Sequence, residues 1–124
     1  DLFLSRPDGS ARRNITNTPD FEEAAPRFSP DGSRLLFRRL EKGTTIDHDR
    51  WGFQGALVIA NADGSNPVAG EDGAAPWASW SPDGKQVVCL DKQGIHVLDR
   101  ETRKEVRDVM KRQGIYQQLF CSPD

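Results

Sequence analysis

The sequence predicts an all-β chain of four-stranded antiparallel sheets stacked face to face, and three observations predict it. First, one phrase recurs: "FSPDGSRLLF" at 28–37, "WSPDGKQVVC" at 80–89 and "CSPD" at 121–124. Their serines, Ser29, Ser81 and Ser122, stand 52 and 41 residues apart. Second, a companion strand and turn recur between them: "LFLSRPDGS" (2–10), "LVIANADGS" (57–65) and "IHVLDRETR" (95–103). In register, Asp8, Asp63 and Glu101 match. Third, "RLLF" (34–37) and "QVVCL" (86–90) are apolar on consecutive positions, the mark of strands covered on both faces. A unit of roughly 40–50 residues with four strands, repeated and covered on both sides, is the pattern of a β-propeller blade. The expected fold is a partial β-propeller of about two and a half blades.

Each element follows from local chemistry. Residues 1–16 read as the last two strands of one blade, 24–70 as a full blade, 76–109 as the next, and 115–124 as the first strand of a fourth. The chain is therefore expected to be part of a larger ring. Pro30 and Pro82 preset φ for the second position of a type I turn. Asp31 and Asp83 accept from nearby backbone N–H groups, and Gly32 and Gly84 take the left-handed conformation that returns the chain to a strand. Phe28 and Trp80 precede the two turns in matching positions and are expected in the core, whereas Trp77 fits the core or a rim. "RETRKEVRDVMKRQG" (100–114) has a helical stripe in Val106, Val109 and Met110, but "EVRDV" alternates where the repeat requires a fourth strand. Strand is expected there.

Composition narrows the function classes. A formal net charge of −2 gives no general attraction to nucleic acid or anionic lipid. The basic turns carry no interleaved aromatics, so no nucleic-acid partner is expected. No apolar run approaches the ~20 residues of a membrane-spanning helix, and no membrane insertion is expected. Cys89 and Cys121 sit in apolar runs and read as buried thiols rather than a disulfide framework. His96 aligns with Phe3 and Val58 and reads as a packed side chain. Asn14-Ile15-Thr16 fits the glycosylation pattern, which is common by chance. The sequence contains no Gly-x-Ser-x-Gly elbow, His-Glu-x-x-His, phosphate loop or Cys-x-x-Cys. No enzymatic activity, cofactor or metal is therefore expected.

Loop positions suggest where interaction occurs. If the first strand of each blade leaves one face, segments 17–24, 41–55, 70–75, 91–94 and 110–114 share that face. They carry Asp20, Glu22, Glu23, Glu41, Asp47, Asp49, Glu71, Asp72 and Asp91 against Lys42, Arg50, Lys92, Lys111 and Arg112. The opposite turns carry Arg12, Arg13, Arg34, Lys85, Arg100, Arg103 and Lys104. An acidic rim opposite a basic one is expected. The longest loop, "EKGTTIDHDRWGFQG" (41–55), exceeds its counterpart "DKQG" (91–94) by 11 residues. Three readings of it are open: a solvated loop with Trp51 folded onto the blade, a partner-contact loop, and a metal site on "DHDRW". The last lacks any ligand spacing signature. The candidate contact residues are Asp47, His48, Asp49, Arg50, Trp51, Glu71 and Asp72.

Ser-Pro-Asp-Gly before an apolar strand, followed by a strand ending in Asp-Gly-Ser, resembles the TolB-like propeller repeat, a relative of WD-type repeats. The resemblance runs through essentially the whole chain, with departures in the third unit at Glu101-Thr102 and Cys121. It implies a non-enzymatic protein-interaction scaffold in a bacterial periplasm or other extracytoplasmic space. The alternative is the gating propeller of a serine peptidase similar to prolyl oligopeptidases, with its catalytic domain outside this chain. A third reading is a propeller-based polysaccharide lyase or hydrolase. The expected partner is a protein with a basic segment, and the fragment's open faces favour self-association.

Overall fold

The computed structural model describes residues 1–44, 55–70, 77–90, 94–102 and 104–111. Among these residues the chain is all β, with no helix. The strands are β1 (Phe3–Leu4), β2 (Arg13–Asn14), β3 (Phe21–Phe28), β4 (Arg34–Glu41), β5 (Ala56–Asn61), β6 (Val68–Ala69), β7 (Trp77–Trp80), β8 (Gln86–Leu90), β9 (Gly94–Asp99) and β10 (Glu105–Lys111). They form three antiparallel sheets, ordered β1-β2, β3-β4-β5-β6 and β10-β9-β8-β7. Both four-stranded sheets are meanders, so each strand pairs with its neighbours in sequence. The segment with the helical stripe is strand β10, as expected, though two register shifts break its alternation and leave Val106 and Val109 exposed. β3 begins at Phe21 and β10 ends at Lys111, a few residues beyond the intervals 24–70 and 76–109. Residues 115–124 lie outside the described residues.

The consecutive apolar residues of β4 and β5 have a direct physical cause. Leu35 pairs with Ala60 and Phe37 with Val58, so these four side chains share one face. They pack with Leu2 and Ile15 of the β1–β2 layer. Leu36 pairs with Ile59 and Arg38 with Leu57, so these share the opposite face. There Leu36, Leu57 and Ile59 pack with Trp80, Val87 and Cys89 of the β7–β10 sheet, with Ala78 and Leu98 alongside. The β3–β6 sheet is thus the middle of three layers. Burying each large apolar side chain contributes about 1.5–3 kcal/mol.

The layers are also tied by polar contacts. The Trp80 indole Nε1–H donates to the Arg27 carbonyl of β3 across the layer boundary, at 3.2 Å. The turn at Gly64 lies so close to the β1–β2 layer that a Cβ there would fall 1.9 Å from the Ile15 carbonyl oxygen. Gly64 has φ +89°, so only glycine meets both demands.

Phe28 departs from expectation. It is 49% exposed, whereas Trp80 in the matching position is 6% exposed. Phe28 pairs with Leu35 and therefore faces the β1–β2 layer, which has two strands where its neighbour has four. Trp80 pairs with Val87 and faces the complete four-stranded sheet. The same position in the repeat is buried or open according to the width of the layer it meets.

One edge strand of each four-stranded sheet is blunted. β3 shifts register between Ala24 and Arg27, where Ala25 has φ +53° and Pro26 supplies no N–H. β10 shifts register twice, between Glu105 and Arg107 and between Asp108 and Met110. Bulges of this kind oppose the edge-to-edge pairing of copies.

Truncating the middle layer tests the packing. Leu36→Ala and Phe37→Ala are each expected to cost about 3–5 kcal/mol of unfolding free energy in urea titrations. Val106→Ala, at a 56% exposed position on β10, is expected to change it by less than about 0.5 kcal/mol.

Candidate functional site

The strand ends sort into two groups. At one end lie the repeated turns, and each closes in the same way. In the first, Ser29 N–H donates to the Arg34 carbonyl (2.9 Å) and Gly32 N–H to the Ser29 carbonyl (2.8 Å). The Ser29 hydroxyl donates to Asp31 Oδ1 (2.5 Å), which also accepts from Ser33 N–H (3.0 Å), while Arg34 N–H donates back to Ser29 Oγ (2.9 Å). In the second, Ser81 N–H donates to the Gln86 carbonyl, Gly84 N–H to the Ser81 carbonyl, the Ser81 hydroxyl to Asp83, and Lys85 N–H to Asp83. Gly32 and Gly84 have φ +71° and +68°, the left-handed conformation the turn demands.

The third companion turn is built differently from its alignment. Asp99, not Glu101, accepts the turn's N–H groups, from Glu101 (3.0 Å) and Thr102 (2.7 Å). Glu101 is released to bridge the layers: both its carboxylate oxygens lie 3.1 Å from Arg34 Nη2. Arg100 reaches the other way, to the Gly84 carbonyl (3.2 Å) and to Asp31 Oδ2 (3.5 Å). The Ser-Pro-Asp-Gly turns of both sheets therefore sit at the same end of the stack.

This end is not a basic rim. Asp8, Asp31, Asp63, Asp83, Asp99 and Glu101 stand among Arg12, Arg13, Arg34, Lys85, Arg100 and Lys104, and the closest ions neutralise one another. The turns themselves require the carboxylates that balance these cations. Arg103 lies outside the described residues.

The opposite end carries the strand termini from which the variable segments leave. Phe21 pairs with Glu41, Arg39 with Ala56, Trp77 with Leu90, and Lys111 with Gly94. Lys42 N–H donates to the Asp20 carbonyl (2.9 Å), and Gly70 N–H to the Leu57 carbonyl (2.8 Å). The long segment is anchored where it rejoins the sheet: Gly55 is buried at φ +87°, and a Cβ there would lie 2.5 Å from the Arg39 carbonyl oxygen. Asp47, His48, Asp49, Arg50 and Trp51 lie outside the described residues, as do Glu71, Asp72 and Asp91.

The described part of this rim has exposed acids in Asp20, Glu22 and Glu41, beside exposed Lys42. Glu23 does not belong to it. Its side chain is fully buried, accepts a hydrogen bond from Thr18 and pairs with Arg39 at 3.4 Å. The Arg39 guanidinium also lies over the rings of Phe21 and Phe37, at 5.1 and 5.5 Å. Strand alternation sends Glu23 inward while Glu22 faces out, a distinction that counting charges along a loop misses. Arg38 is half-buried between Leu36 and Leu40, and burial pulls its pKa below the usual value.

The other candidate residues occupy the layer boundary. Cys89 is buried, and its thiol donates to the His96 carbonyl at 3.5 Å. His96 is buried too, with Nδ1 3.1 Å from Glu105 Oε2 and 4.0 Å from Asp108 Oδ1. His96 pairs with Cys89 on the face toward the middle layer, and the two carboxylates stand on the edge strand β10. Among the described residues, no three His, Cys, Asp or Glu side chains are grouped to hold a metal ion. Cys121 lies outside the described residues. No family model, curated protein or solved structure matches the chain.

The turn carboxylates couple stability to pH. Hydrogen bonds from Ser29 and Ser33 hold Asp31 far below the ordinary carboxylate range, and Ser81 and Lys85 lower Asp83 in the same way. Ser65 lowers Asp63, and Thr102 lowers Asp99. Groups lowered on folding add stability above the unfolded value of about 4 and lose it as pH falls through the folded values. Thermal melts should therefore show Tm constant near neutrality and falling as pH drops below about 4. Ser29→Ala, which removes a buried hydroxyl from the first turn, is expected to cost about 1–2 kcal/mol at neutral pH. It should also weaken the acid dependence.

Proposed function

We propose that this chain is a section of a TolB-like β-propeller that acts as a non-enzymatic scaffold for protein interaction. The observation that carries this reading is the shared polarity of the stack. The repeated turns of both four-stranded sheets meet at one end through the Arg34–Glu101 and Arg100–Asp31 contacts, so the variable segments depart from the other. Layered sheets with the longest connection, 42–55, on one rim make a rigid body with one adaptable surface, which suits recognition. The residue pattern that resembles TolB-like repeats supports the blade assignment and the extracytoplasmic, periplasmic placement.

The partner is a protein with a basic segment. Asp20, Glu22 and Glu41 are exposed on this rim, and the sequence adds Asp47, Asp49, Glu71 and Asp72 in the segments that leave it. Exposed charges of this kind set encounter rate and salt dependence more than they set contact area.

The experiment is fluorescence anisotropy with a lysine-rich peptide. Combined Asp47→Asn, Asp49→Asn, Glu71→Gln and Asp72→Asn substitutions are expected to weaken binding roughly tenfold at low ionic strength. They should also flatten the dependence on salt. Unchanged affinity and unchanged salt dependence would overturn the acidic-rim reading.

A further inference from the structure

The sequence contains five Asp-Gly pairs: Asp8-Gly9, Asp31-Gly32, Asp63-Gly64, Asp72-Gly73 and Asp83-Gly84. All but Asp72-Gly73 lie in described turns. Asp-Gly is the dipeptide most open to spontaneous isomerisation, because glycine places no side chain in the way of its own amide nitrogen. In the first step the glycine nitrogen bonds to the aspartate Cγ. The carboxyl loses an oxygen as water, the amide loses its proton, and a five-membered imide forms. In the second step water adds to either imide carbonyl. Opening at the main-chain carbon returns the peptide bond to the side-chain carboxyl, giving isoaspartate. One water leaves and one enters, and no other reactant is needed.

Three features of a turn oppose the first step. The glycine N–H must be released from its acceptor, the carboxylate must leave its donors, and the backbone must open enough to bring the two together. All four described turns hold the glycine N–H on the carbonyl three residues back, at 2.8–2.9 Å. They differ in the other two respects. Asp31 accepts from hydroxyls on both sides, Ser29 and Ser33, and from Ser33 N–H, with Arg100 at 3.5 Å. Asp83 accepts from the Ser81 hydroxyl and from Lys85 N–H. Asp63 is held by both donors of Ser65, and its Gly64 is pressed against the Ile15 carbonyl. Asp8 is held by Ser10 as Asp63 is by Ser65, but it has Arg6 where the Ser-Pro-Asp-Gly turns have serine, and its Gly9, like Gly32 and unlike Gly64, is not pressed against a neighbour. Its turn joins β1 and β2, of two residues each, and residues 5–12 are exposed throughout. Short strands with few buried contacts open most readily.

We propose that Asp8 is a site of spontaneous isoaspartate formation in the folded protein, and that the turn geometry protects Asp31, Asp63 and Asp83. The reaction inserts a methylene into the main chain between β1 and β2. It thereby disturbs the register that places Leu2 and Ile15 over Leu35, Phe37, Val58 and Ala60. Chemical ageing at Asp8 therefore loosens the layer that covers one face of the middle sheet.

The test is peptide mapping of the folded chain held at neutral pH and physiological temperature, with isoaspartate located by electron-transfer fragmentation. Isoaspartate at Asp8 is expected to form roughly tenfold faster than at Asp31 or Asp83, the ratio that about 1.4 kcal/mol of extra opening cost gives. In concentrated urea the four rates should converge. Ser29→Ala should raise the rate at Asp31 and leave Asp8 unchanged. Equal rates at all four sites in the folded chain, or a lead for Asp31, Asp63 or Asp83, would overturn the proposal.

Discussion

The structure depends on one constraint: the β3–β6 sheet is apolar on both faces, and both faces have to be covered. In its two central strands, Leu35 and Phe37 on one side, with Leu36 and Leu57 on the other, leave no face that water can wet without loss. A single hairpin layer or a two-layer sandwich would leave one face open. The three-layer order follows, with Leu2 and Ile15 above and Trp80, Val87 and Cys89 below. Everything at the two ends of the stack is positioned by that requirement.

Turn chemistry then fixes the polarity of the layers. Each Ser-Pro-Asp-Gly turn uses one serine and one aspartate to satisfy several backbone groups in a few residues, which closes a hairpin without a long loop. Because the turn is compact, Arg34 and Arg100 can reach across to the neighbouring layer's turn. These pairs are largely exposed, so their net contribution is about 0–1 kcal/mol each, and their effect is on alignment more than on stability. With one end occupied by these turns, the longest connection, 42–55, leaves from the other end. That separation is the physical basis for the proposal that recognition uses one rim.

Much of this was legible in the sequence because the repeat carries its own chemistry. The paired apolar residues at 35–37 and 87–90 announced strands buried on both faces, and the proline, aspartate and glycine of each turn announced its geometry. Three features were not legible, each for a definite reason. The exposure of Phe28 depends on how many strands stand opposite it, which a local window does not contain. Glu23 and Glu22 are adjacent in sequence but point to opposite sides of β3. Asp99 took the role aligned to Glu101 by accepting the N–H groups of Glu101 and Thr102, two and three residues beyond itself. The candidate contact residues between 47 and 51, with Glu71 and Asp72, were chosen from loop length and charge. The structure speaks to the strand ends that flank them.

The most direct measurement of the central claim is native-state hydrogen exchange, resolved by residue, across the whole chain. If the middle sheet is covered on both faces, the amides of β4 and β5 that pair within it exchange slowest, through the global unfolding of the protein. The amides of β1, β2 and β10 should exchange faster, through local opening. Exchange at β4 or β5 as fast as at β1 would show that one face of the middle sheet is open to water, and would contradict the layered account.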